Sequence, residues 1–265
     1  STVHDKATVS GSFTTPTGNV DFTFYNNGNC TPTGSPAGTV ALVGGVAHPS
    51  TTQGPLNAGS YSFKAHYNGD VNYVPLDSAC EPLTVTKLDS QVVTQIHDEG
   101  EGIVISVPAG STVHDKATVS GSFTIPTGNV DFIFFTSGNC TTGGSAAGTV
   151  ALDGSGVAHP SSSQGPLSTG SYSFKAHYNG DVNYNPSDSA CEPLEVTQFR
   201  SEVQTQVHDP IHTNITGGAV PVGTLVHDLA VVGGAGPVPT GLVAFDLFGD
   251  PACQTGPIIP TEILP

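Results

Sequence analysis

Apolar and polar positions alternate strictly along much of this chain, the period-two pattern of strands that bury one face. Val20, Phe22 and Phe24 fall on one side of their segment, with Asp21 and Thr23 on the other. Val130, Phe132 and Phe134 repeat the pattern, and Val243, Phe245 and Leu247 repeat it again. Between Tyr61 and Tyr67 the inward set is Tyr61, Phe63, Ala65 and Tyr67, which leaves Ser62, Lys64 and His66 to solvent. Leu83 with Val85, and Leu194 with Val196, read as closing strands; Val92 with Ile96, and Val203 with Val207, read as opening ones. Pro16-Thr17-Gly18, Asn27-Gly28 and Asn68-Gly69 punctuate the runs, glycine supplying the positive φ that tight turns require. About seven short strands per unit, joined in this way, predict an all-β chain of β-sandwiches.

The pattern is itself repeated. Ser1–Thr14 recurs unchanged at Ser111–Thr124, followed in both copies by PTGNVDF, GNC, GSYSFKAHYNGDVNY and DSACEPL. The offset moves from 110 to 111 residues after a single insertion near Gly154–Gly156. A diverged third copy carries VHD at Val226–Asp228, PTG at Pro239–Gly241 and Cys253. A leading segment, SQVVTQIHD at Ser90–Asp98 and SEVQTQVHD at Ser201–Asp209, precedes the second and third copies. If a unit starts there, the units are 1–87, 88–197 and 198–265, the first without its opening strand and the third ending before its last strands. A unit without a strand exposes unpaired backbone. Continuation into further repeats, or completion by a neighbouring copy, is therefore expected.

The order PTGNVDF, ALDGSGVA, GSYSFKAHYNGDVNY and PLTV resembles the bacterial Ig-like tandem-repeat family, through both full repeats and the start of the third. The resemblance implies immunoglobulin-like β-sandwiches strung as modules in a secreted spacer or surface protein of adhesin type. It implies no catalytic activity. Cysteines set this chain apart from the common form.

Composition narrows the picture. The 33 glycines and 21 prolines are spread evenly, as many turns require, and six basic residues leave little for long helices. A net charge of −16 disfavours nucleic acid and anionic membranes and tolerates cations; its plainer meaning is a soluble surface held apart by charge. No stretch has the roughly 20 apolar residues of a membrane helix.

Cys30, Cys80, Cys140 and Cys191 supply two cysteines to each repeat, and Cys253 is left over, its partner expected outside the chain. Pairing within a repeat, Cys30 to Cys80 and Cys140 to Cys191, is favoured because it gives each unit an even count. The rival register, Cys80 to Cys140 and Cys191 to Cys253, would staple successive units. Either points to an oxidising compartment.

His-Asp pairs occur at His4-Asp5, His97-Asp98, His114-Asp115, His208-Asp209 and His227-Asp228. Two fall in each unit that has its leading segment, at the end of one strand and the start of the next, so they could meet and hold a metal or form a pH-sensitive clasp. The simpler reading, preferred here, has each Asp bonded to local backbone donors and each His exposed. Asp98, Glu99, Glu101 and Asp115 form the densest oxygen cluster and are the candidate Ca²⁺ ligands at a junction between units, although Pro210 and Ile211 break the cluster in the third copy. No cofactor beyond that cation is expected. Lys6 and Lys116 could form isopeptide bonds, but Leu229 stands at the matching place. No serine lies in a G-x-S-x-G turn and no glycine-rich phosphate loop precedes a helix, so a non-enzymatic protein is expected.

The preferred reading is an extracellular structural protein whose modules form a rod or filament by head-to-tail continuation or strand sharing. Its partners would be copies of itself or further repeats. The alternative is an adhesin stalk or ligand-binding region that meets a host or surface ligand, although the aromatic residues fall mostly on the buried phase. An accessory region of a secreted enzyme ranks third.

Overall fold

Strands supply all the regular structure of the computed structural model, which describes residues 1–264, and no helix occurs among them. Two compact units are distinguished. Residues 1–105, 112–165 and 171–194 form the first, and residues 106–111, 166–170 and 195 onward form the second.

In the first repeat the strands are β1 (Ala7–Thr8), β2 (Asn19–Tyr25), β3 (Ser35–Ala41), β4 (Val46–Ala47), β5 (Gly59–Tyr67), β6 (Leu76–Asp77) and β7 (Glu81–Val85). β1 pairs with β4, while β3, β2, β5 and β6 lie in that order in a second sheet, where β7 also pairs with β5. The alternation in β2 buries Val20, Phe22 and Phe24 against Phe63, Ala65 and Tyr67 of β5, with Ala37 and Ala47 completing the cluster. Burying an aromatic or branched side chain of this kind stabilises by about 1.5–3 kcal/mol.

The second repeat follows with β8 (Gln91–Asp98), β9 (Ser106–Pro108), β10 (Val113–Ser120), β11 (Asn129–Phe135), β12 (Gly144–Ala151), β13 (Val157–Ala158), β14 (Gly170–Tyr178), β15 (Ser187–Asp188) and β16 (Glu192–Thr197). β10 is longer than β1 and lies between β13 and β8, with Val119 opposite Val92 and Asp115 opposite Ile96. Val92 and Ile96 are buried, as the opening-strand pattern requires. β11 pairs with β14 in the register that β2 and β5 use, Phe132 opposite Ala176 and Phe22 opposite Ala65.

Ser62 departs from the alternation. It lies on the polar phase of β5 yet is fully buried, as is Ser173 of β14. The Ser62 hydroxyl donates to Asn27 O at 2.7 Å and accepts Cys30 N–H at 3.2 Å, so a small hydrogen-bonded group replaces an apolar one beneath the loop. That loop is anchored by the Cys30–Cys80 disulfide, and its counterpart by Cys140–Cys191; both bonds lie within a repeat. The left-handed residue of the loop is the cysteine, Cys30 at φ 53° and Cys140 at 54°, not the glycine of the Asn27-Gly28 pair.

Two glycine positions have clear causes. A register shift between Asp21 and Thr23, repeated between Asp131 and Ile133, marks a bulge opposite Gly38 and Gly148. Their φ values of 100° and 98° suit glycine, and an added Cβ would strike Thr51 Oγ1 and Ser162 Oγ. At Gly121 an added Cβ would collide with the Tyr184 ring.

In the second unit β9 pairs in parallel with β16, Val107 opposite Val196, and both valines are buried. β17 (Ser201–His208) and β18 (His227–Gly234) form a two-stranded ladder, and β19 (Val243–Phe245) pairs with β20 (Glu262–Leu264). Val203 and Val207 carry the opening-strand pattern yet are 58% and 37% exposed, and Leu247 lies beyond β19 at 47%. A two-stranded ladder has no second layer to cover its apolar face.

Candidate metal centre

Strand pairing, not sequence proximity, assembles the principal polar cluster. β8 and β10 place His97 directly opposite His114. β13, paired on the other side of β10, leads into His159. After β8 the chain reverses in a tight turn in which the Asp98 carboxylate accepts the N–H groups of Gly100 and Gly102, each at 2.9 Å. Glu101 occupies that turn at φ 63°, an uncommon conformation for glutamate. One donor atom from each of His97, Glu101, His114 and His159 lies within 4.8 Å of all the others.

The spacings are short. His114 Nε2 is 3.0 Å from His159 Nε2. Glu101 reaches His159 Nε2 at 3.2 Å, and His114 Nε2 and His97 Nδ1 at 3.6 Å. His97 and His114 are buried, whereas Glu101 is exposed. His97 Nδ1 lies 3.2 Å from Glu101 O, and because a carbonyl only accepts, the proton sits on Nδ1. Nε2 is buried without a hydrogen-bond partner. Burial holds His159 below the ordinary imidazole value, against the opposing pull of Glu101. Imidazoles beside a carboxylate are a donor set for borderline transition-metal ions.

The structure places the candidate Ca²⁺ ligands in different settings. Asp98 is engaged with backbone donors, Glu99 is exposed, and only Glu101 joins the cluster. Asp115 is fully buried in β10, where burial and the Glu192 carboxyl push it up to about 8. The four residues therefore form no shared group among the described residues.

The simpler reading of the His-Asp pairs holds for Asp98 and also for Asp209, which accepts the N–H groups of Ile211 and Thr213. It fails for His97, His114 and His208, which are buried. Sequence reasoning missed His159 and Glu192, each separated from its partners by at least 45 residues. Their signal was positional: His48 and Glu81 stand at the same places in the first repeat. There Glu81 is raised by burial and by Asp5, and His4 Nε2 lies 3.1 Å from His48 Nε2. Cys253 is a free, exposed thiol.

No helix among the described residues is long and apolar enough to cross a membrane. The two disulfides fit an extracellular or cell-surface location. No curated protein matches the chain in sequence. Residues 105–197 match the family described as Bacterial Ig-like domain (group 3), the family type that the repeated motifs resemble.

Proposed function

We propose that the chain is a structural segment of an extracellular protein, built from Ig-like modules joined head to tail into a rod or filament, with further repeats or copies as its partners. The observation that carries this reading is the junction between the first two repeats. The connecting residues are laid along a turn of the second repeat: Leu88 N–H donates to Asn183 O at 2.8 Å, and Asn185 N–H donates to Leu88 O at 2.9 Å. Lys87 Nζ caps Asp181 O, and Ser90 bonds Asn185 O and Ser187 Oγ. From the first repeat, Ala58 N–H donates to Asn183 Oδ1 and Asn57 Oδ1 accepts from Asn183 Nδ2. A flexible linker would leave these backbone groups to water; here directed bonds from both sides fix the connection.

A junction of this kind suits a protein that transmits force or holds distance. Residual dipolar couplings of the labelled full chain test it. One alignment tensor fitting residues 1–87 and 88–197 together is expected, and two unrelated tensors would remove the basis for a stiff serial array.

A further inference from the structure

We propose that His97, Glu101, His114 and His159 form a binding site for a divalent transition-metal ion, zinc foremost, which ties the turn after β8 to β10 and to the loop after β13. The argument starts from distances. Ligand atoms around a tetrahedral ion with bonds of about 2.0–2.1 Å stand about 3.3 Å apart. The contacts of Glu101 with His114 and His159, and of His114 with His159, run from 3.0 to 3.6 Å, so they match edges of such a polyhedron. Two imidazole Nε2 atoms at 3.0 Å share at most one proton in the neutral state, and a cation between them satisfies both lone pairs. His97 shows the arrangement usual for a ligating histidine, with one ring nitrogen donating to a carbonyl and the other buried without a hydrogen-bond partner.

The third copy supplies an independent observation. Its turn reads DPIHT at Asp209–Thr213, where the second repeat reads DEGEG at Asp98–Gly102. Only the first residue is shared, yet the fourth is a metal-ligating type in both, and both are held at positive φ, Glu101 at 63° and His212 at 66°. His212 meets His208 and His227, the counterparts of His97 and His114, with His227 Nε2 3.1 Å from His212 Nδ1. A turn retained only for its backbone would not need a donor at this one place through such a change of sequence. Calcium is disfavoured because it takes six to eight oxygen ligands, and this set offers one carboxylate.

The test uses the full chain, stripped with a chelator and titrated with ZnCl₂ and separately with CaCl₂ by calorimetry, with bound metal counted after desalting. His159→Ala and Glu101→Gln serve as the variants because both side chains are partly or largely exposed, and circular dichroism checks that each variant stays folded. Zinc is expected to raise the melting temperature of the parent chain. Each variant is expected to lose one equivalent of zinc or to bind it at least tenfold more weakly, with little response to calcium. Zinc bound at His208, His212 and His227 or at Cys253 survives both substitutions, so the difference isolates the proposed site. No zinc uptake by the parent chain, or equal uptake by folded variants, would overturn the proposal.

Discussion

Asn183 accepts the backbone N–H of Ala58 at 3.0 Å, so that a turn of the second repeat becomes the partner of a loop in the first. Asn183 is only 8% exposed. Asn183→Ala removes this acceptor and leaves Ala58 N–H unpaired, a loss of about 1–2 kcal/mol. Asn72 occupies the matching place in the first repeat and is exposed, so Asn72→Ala is expected to change stability by less than about 0.5 kcal/mol. Chemical denaturation of the two variants side by side measures the contribution of the junction.

Tyr184 and Tyr73 offer a second matched pair. The Tyr184 hydroxyl accepts Phe123 and Thr124 N–H and donates to Thr124 O, all within 2.9 Å, and its ring is fully buried. Tyr73 makes the same three bonds from a half-exposed position. Tyr184→Phe removes the acceptor of two backbone donors at a part-buried site and is expected to cost about 1–3 kcal/mol, with a smaller loss for the more exposed Tyr73→Phe, where water can replace the hydroxyl. Equal losses in thermal melts would mean that burial does not set the strength of this clamp.

Acid sensitivity follows from Asp70. N–H groups of Thr17, Asn72 and Tyr73, joined by the Thr17 hydroxyl, hold its carboxylate at about 2. The folded value lies below the unfolded one of about 3.9, so the ionised group contributes stability above that pH, and the contribution is lost as pH falls toward 2. At Asp181 burial acts to raise the carboxyl, but the matching donors, Thr127, Asn183 and Tyr184, leave it lowered on balance. Melting the parent chain and Asp70→Asn from pH 7 to pH 2 should show a gap that is full at neutral pH and closes below about pH 4. A gap independent of pH would assign the effect to shape instead of charge.

The disulfides predict a redox dependence. Cys140–Cys191 closes a separation of 51 residues, and in the chain-entropy model such a loop is worth about 4 kcal/mol. Replacing both cysteines by alanine should lower the denaturation midpoint by a corresponding amount. Non-reducing peptide mapping of the parent chain should recover the Cys140–Cys191 pair, and a Cys80–Cys140 peptide would contradict the fold.

The strands were legible because period-two alternation is a local signal: Val20, Phe22 and Phe24 turn inward as their spacing requires. Pairing of cysteines within a repeat was legible because repetition exposes parity. Ser62 was not legible, since its burial depends on a loop some thirty residues away. The metal cluster was half legible. His97 and His114 stood out as strand-end histidines, but Glu101 was grouped with the nearby acids. Only strand register shows that Asp115 turns into the core toward Glu192 while Glu101 turns toward three imidazoles. Charge proximity in sequence says little about which side of a strand a carboxylate occupies.

The structural role stands or falls on the form of the native material. Negative-stain electron microscopy of the protein as its cell produces it should show rods or fibres with a regular axial repeat, one module after another in fixed relation. Isolated short particles that bend freely and show no axial repeat would contradict a stiff serial array.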